Sequence, residues 1–224
     1  MKKRMKFFLF SCFILIILSS CNNEEAVIEM PEEVKTEIVP TLAISPAEFM
    51  KGDAQILATH FDDWQTGKVN IEYTGEENKM IVLSYDIYKS GELVSSNGSM
   101  GSVMFGDYNG KLLISLMDED TSDIQDYSLG LSLVENSGSA SSAYSDDMPE
   151  LQRPDMAAST IWSIHEKMNL NEKEEAVVWA YLVNENSIIN PDILTEENLK
   201  KDYDFAFVVK IALMDEADYG KEIK

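Results

Sequence analysis

The sequence predicts a mainly β protein, an antiparallel β-sandwich with one or two short helices, of which the immunoglobulin-like arrangement is the commonest version. Three observations predict it. From about residue 66 apolar residues recur with a period of two; clusters of Gly, Asn, Asp and Ser interrupt them about every 8 to 12 residues; and helix-start signals occur at only two places.

Taken in chain order, Val69, Ile71 and Tyr73 alternate with Lys68, Asn70 and Glu72, as in a strand with one buried face. Met80 to Tyr88 is apolar on nearly both faces, which places it centrally in a sheet. Lys89-Ser90-Gly91-Glu92 is a hairpin turn leading into Leu93-Val94, because Gly91 can take the positive φ that such turns need. Ser102 to Phe105 and Lys111 to Met117 read as strands either side of the turn Asp107-Tyr108-Asn109-Gly110. Tyr127, Leu129, Leu131 and Leu133 share one face of the next strand. The six serines between Ser132 and Ser145 predict a long mobile loop. Thr160 to His165 and Ala176 to Val183 resume the strand pattern; valines and aromatics outweigh the Glu and Ala that would allow a helix over 173–184. Phe205 to Met214 is the last predicted strand.

The helix signals are Ser45-Pro46-Ala47-Glu48, a capping box with proline at the first helical position, and Thr195 to Lys201. The first predicts one or two turns through Met50. The second has glutamates at its positive end and lysines at its negative end.

Charge narrows the function. The chain carries 40 Asp plus Glu against 18 Lys plus Arg, a net charge of −22. Four of the positive charges (Lys2, Lys3, Arg4, Lys6) lie in the first 20 residues, so without that segment the net charge is −26. So acidic a body repels phosphate backbones and anionic head groups, which argues against nucleic acid as a partner.

The basic Met1 to Lys6 precedes a twelve-residue apolar run, Phe7 to Leu18. That length suits the core of a secretory signal peptide and is too short to span about 30 Å of hydrocarbon as a helix. The run ends in Leu18-Ser19-Ser20-Cys21, which resembles the lipobox of bacterial lipoproteins. The resemblance implies cleavage after Ser20, a diacylglycerol on the Cys21 thiol, and further acylation of the new amino terminus, hence a cell-membrane, extracytoplasmic location. Two acyl chains, at about 0.8 kcal/mol per buried methylene, are enough for stable anchoring. Cys12 would leave with the signal, so the mature chain would hold no free thiol and no disulfide. The globular part is similar to small lipoproteins of Gram-positive bacteria.

The expected organisation is therefore a signal peptide over 1–20, a lipidated tether over 21–45 and a β-sandwich domain over 46–224. Asn22 to Ser45, with six glutamates and two prolines, reads as a disordered, self-repelling linker, with Ile38-Val39 and Leu42-Ala43-Ile44 forming a first edge strand as the alternative.

Motifs for chemistry are few. His60 and His165 are the only histidines, and His165-Glu166 lacks the second histidine of a zinc-protease helix. Gly130-Leu131-Ser132-Leu133-Val134 misses the last glycine of a nucleophile elbow. The stretch from Leu112 to Gln152 holds nine acids and no lysine or arginine. Within it Asp118, Asp120, Asp123 and Asp126 are the candidate ligands for a hard cation such as calcium, although the spacing departs from an EF-hand. No other cofactor is expected. Trp64 and Trp162 are the candidate aromatic platform for a glycan or peptide, whereas Trp179 lies among apolar neighbours and is expected in the core. The resulting expectation is a non-catalytic binding or structural module at the cell envelope, meeting the membrane through its anchor and an envelope protein or glycan through its fold. The alternatives are a solute-binding lipoprotein of a transporter, or a cell-wall enzyme working through carboxylates.

Overall fold

The computed structural model describes residues 40–49, 64–121, 124–138, 140–145, 158–184 and 194–222, all within the compact unit Ile38–Lys224. Among the described residues eleven strands form two antiparallel sheets, as a β-sandwich requires. They are β1 (Thr41–Pro46), β2 (Trp64–Thr74), β3 (Lys79–Lys89), β4 (Glu92–Met104), β5 (Tyr108–Thr121), β6 (Ile124–Glu135), β7 (Ala140–Ser145), β8 (Ala158–Ser163), β9 (Met168–Leu170), β10 (Glu175–Asn184) and β11 (Phe205–Met214). One sheet has the order β7-β6-β5-β2-β1-β9 and the other β4-β3-β11-β10-β8. Six and five strands exceed the four and three of a constant-type immunoglobulin domain.

The first sheet follows the period-two pattern closely. Leu42 and Ile44, Val69, Ile71 and Tyr73, Leu112, Ile114 and Leu116, and Tyr127, Leu129, Leu131 and Leu133 are all buried, and the residues between them are more accessible except for the buried Ser128. Register stacks them across strands: Ile44 opposite Ile71, Val69 opposite Leu112, Leu112 opposite Leu133. Burial of each such side chain contributes about 1.5–3 kcal/mol, so a one-residue slip would expose the whole row.

In the second sheet β3, β10 and β11 are buried almost continuously, so both faces are covered. Trp179 identifies the face that meets the first sheet: its indole Nε1–H donates to the Thr66 carbonyl of β2 at 3.3 Å. The opposite face carries the register row Trp162, Ala180, Val208, Asp86 across β8, β10, β11 and β3.

The β3–β4 turn takes positive φ at both central residues, 49° at Ser90 and 80° at Gly91, as a type I′ hairpin needs. The helix α1 (Glu196–Lys201) lies beside this turn: a Cβ on Gly91 would fall 2.1 Å from the Lys200 carbonyl oxygen. Thr195 caps α1 through a reciprocal box, its Oγ1 accepting from Asn198 N–H while Asn198 Oδ1 accepts from Thr195 N–H. Leu199 is the buried residue of this helix. We expect Thr195→Ala to cost about 1 kcal/mol, read as a fall in the denaturant midpoint at unchanged slope.

Four expectations are corrected. The residues Ser45-Pro46 do not start a helix: they end β1, and residues 47–49 are not helical. Pairing on both sides, to β2 and to β9, buries Leu42 and Ile44, and that outweighs a local capping signal. For the same reason the ordered domain begins before residue 46, and Leu42-Ala43-Ile44 lies inside the sheet rather than at its edge. The serine-rich segment is not a long loop: Ser132 belongs to β6, a turn at 136–138 follows, and Ala140–Ser145 forms the edge strand β7. Small residues suffice there, since an edge strand needs backbone pairing more than apolar mass; Ser132 and Ser142 hydroxyls meet at 2.8 Å. Finally, Leu93 and Met104 belong to one long edge strand, β4, whose pairing with β3 is broken by two register shifts. A short second helix, α2 (Glu216–Glu222), follows β11.

Candidate functional site

Where the chain passes from β8 to β9 it leaves one sheet for the other, and a cleft of about 820 Å³ opens beside this crossing. Its apolar lining comes from Trp162 and Ile164 at the end of β8, Met168 of β9, Ala176 and Val177 of β10, and Leu194 ahead of α1. Its polar lining is His165, Glu166 and Lys167 from the crossing and Glu175 from β10. The volume lies within the range of sites that take small organic ligands. A second concavity of about 290 Å³ lies near Phe105 and Ser141 and is smaller and more open.

Trp162 is not an exposed platform. It is 4% exposed, and its ring meets His165 edge-on at 6.1 Å. It therefore belongs to the wall of a cleft, where a ligand would touch one part of the indole while the rest is held by the sheet. His165, Glu166 and Lys167 are exposed. Lys167 is directed toward Glu72 of β2, at 3.7 Å.

Behind Glu175 lies a buried ion network. Lys210 Nζ donates to Glu175 Oε1 at 2.7 Å and to Asp86 Oδ2 at 2.8 Å. Burial alone would lower the Lys210 pKa, but the hydrogen bonds to Asp86 and then Glu175 more than offset it, and the net shift is upward. Asp86 is 4% exposed, and its other oxygen, Oδ1, is buried without a hydrogen bond. The network fixes the start of β10, and with it one wall of the cleft.

A different cluster resembles a metal centre only on first inspection. Carboxylate oxygens of Glu172, Asp215 and Asp218 lie within 4.8 Å of one another. The cations present are lysines: Lys79 Nζ contacts Asp215 at 2.7 Å, Glu172 at 2.9 Å and Glu77 at 3.1 Å, and Lys173 contacts Asp218 at 3.3 Å. The bond from Lys79, followed by one to Glu172, lowers the Asp215 pKa, and the same contact with Asp215 raises that of Lys79. The cluster ties the start of β3, the β9–β10 turn and the end of β11 together, a structural role.

The other sequence candidates are distributed as follows. Asp118 and Asp120 lie in β5 and Asp126 in β6, close to the hairpin that joins these strands; Asp126 pairs in register with Glu119, and Asp118 with Tyr127. The side chains of these acids, and all of Asp123, lie outside the described residues. Trp64 opens β2 opposite Met117, its side chain again outside the described residues, as is His60. Trp179 is fully buried, and Ser132 sits within β6. Glu175, Met168 and Leu194 were not candidates in the sequence. The period-two series Thr160, Trp162, Ile164 was the one signal that could have marked this wall, since it runs on into the exposed His165-Glu166-Lys167.

Among the described residues no helix is long and apolar enough to cross a membrane. No curated protein and no solved structure matches the chain. A family model, the YgaN domain, does match, over residues 43–213, from within β1 to the penultimate residue of β11; the chain belongs to the YgaN domain family.

Proposed function

We propose that this chain is a lipid-anchored, non-catalytic module of the cell envelope that holds an apolar ligand in the Trp162 cleft. The observation that carries the binding part is the cleft itself, about 820 Å³ with six apolar side chains on its walls. Such a lining holds a molecule by removing its apolar surface from water, at about 25 cal/mol per Å². The anchoring part rests on the basic segment, the apolar run and Leu18-Ser19-Ser20-Cys21. Among the described residues strands and helices do not alternate, which does not favour the solute-binding alternative.

Both parts can be tested. N-phenyl-1-naphthylamine, which fluoresces when it leaves water, is expected to brighten on binding the chain 22–224. Ala176→Phe, which fills the cleft from a half-buried position, should weaken that binding about tenfold while the melting temperature stays within about 2 °C. Equal brightening with wild type and variant would show that the dye sits elsewhere. For the anchor, Cys21→Ala should abolish acylation and leave the signal segment attached, so that the variant runs at the mass of the uncleaved chain. A variant that stays in the membrane at the wild-type mass would contradict it.

A further inference from the structure

We propose that the ligand of the Trp162 cleft is a small amphiphile with a cationic head group and an apolar body. This rests on the reading of the cleft as a ligand site and adds the sign of the charge. Four ionisable side chains line the cleft: His165, Glu166, Lys167 and Glu175. Among the described residues, the two positive charges at or behind this lining, Lys167 and Lys210, are already engaged. Lys167 faces Glu72 at 3.7 Å, so that pair is neutral. Lys210 is shared between Asp86 and Glu175, at 2.8 and 2.7 Å, so that trio keeps one net negative charge. Glu166 adds another. Among the described residues, Glu166 and the Lys210 trio leave two uncompensated negative charges beside an apolar wall.

Glu175 is the better placed of the two. Its side chain is 47% exposed while its partner Lys210 is 15% exposed, so the carboxylate stands between the buried network and the open cleft. One of its oxygens accepts from Lys210; the other, Oε2, has Ser84 Oγ at 3.5 Å, a weak donor at that distance. That oxygen has capacity left for a second cation. A head group held there, with its apolar body along Trp162, Ile164 and Met168, uses both halves of the lining. An anionic amphiphile would meet the same carboxylates and the −22 of the whole chain.

The test compares three ten-carbon probes that differ only at the head: decyltrimethylammonium, 1-decanol and decanoate. Each is used below its micelle-forming concentration to displace N-phenyl-1-naphthylamine from the chain 22–224. The cation is expected to bind about tenfold more tightly than the alcohol, and the alcohol more tightly than decanoate. Glu166→Gln and Glu175→Gln should each reduce the advantage of the cation over the alcohol about threefold. Glu92→Gln, at the distant β3–β4 turn, removes the same charge from the domain and should leave all three unchanged. If cation and alcohol bind equally, the charge assignment fails and the cleft reading stands. If Glu92→Gln acts as strongly as Glu175→Gln, only the general field of an acidic domain is at work and the assignment fails. If no probe displaces the dye, both readings fail.

Discussion

Replacing Trp179 with alanine is expected to destabilise the domain by about 3–5 kcal/mol, the largest effect of any single substitution considered. The residue is fully buried in the middle of β10, and its indole spans the space between the sheets. Three things are lost together. The apolar mass of the ring goes, including its edge-on contact with Phe207 at 6.2 Å. A cavity opens between the sheets. The Thr66 carbonyl loses the indole N–H that reaches it at 3.3 Å. The fit is close enough to constrain the opposite strand: a Cβ on Gly67 would lie 2.2 Å from Trp179 Cδ1 and 2.5 Å from its Nε1. Gly67→Ala should therefore displace the indole and be destabilising as well, by about 1–3 kcal/mol. Thermal unfolding checks both. A fall of about 10 °C or more for Trp179→Ala is expected; a fall under about 3 °C would mean that the sheets are held together by something other than this side chain.

The second large effect is expected at Lys79. Its ammonium is 3% exposed and faces three carboxylates. Removing one partner of a buried pair costs about 3–5 kcal/mol, but Glu77, Glu172 and Asp215 are 71%, 32% and 42% exposed. Water therefore screens what is left, and about 2 kcal/mol is expected for Lys79→Met. The pH dependence separates this from a packing effect. Lys79 has its pKa raised, so its contribution is complete below the unfolded lysine pKa of about 10.4 and is lost as pH rises beyond it. Asp215 has its pKa lowered, so its contribution is complete above about 3.9 and is lost as pH falls below that value. The stability difference between wild type and Lys79→Met should be level between about pH 5 and 9 and shrink toward pH 3. A difference independent of pH would assign the loss to the lysine stem alone.

Much of the fold was legible because one face of most strands is buried. Where burial alternates, as in Val69-Asn70-Ile71-Glu72-Tyr73 or Tyr127 to Leu133, the residue pattern states the register directly. The continuous apolar run of β3 correctly indicated a central position. The signal failed where strands do not depend on side chains. Strand β7 is mostly serine and alanine, and the middle of β4 reads Ser95-Ser96-Asn97-Gly98-Ser99; both are edge strands held by backbone pairing. It also failed where local and distant preferences conflict, as at Ser45-Pro46, whose capping box yields to pairing of β1 with β2 and β9.

The site was less legible than the fold. Trp162 was a candidate from its residue type alone, but its partners come from β9, β10 and the approach to α1, and no local pattern links them. Glu175 was invisible for the same reason: its importance comes from Lys210 and Asp86, brought next to it by the pairing of β10, β11 and β3. The Lys79 cluster joins residues 93 and 136 positions apart. Charge composition could show that acids were in excess, but not which of them the fold would leave without a lysine.

Binding of an apolar molecule in the Trp162 cleft can be read by fluorine NMR of the chain 22–224 labelled with 5-fluorotryptophan. Its three tryptophans, Trp64, Trp162 and Trp179, give three lines, with that of Trp162 assigned through Trp162→Phe. On titration with 1-decanol a saturable shift of the Trp162 line is expected, while the line of the fully buried Trp179 stays in place. A Trp162 line that does not move, or that moves no more than that of Trp179, would contradict it.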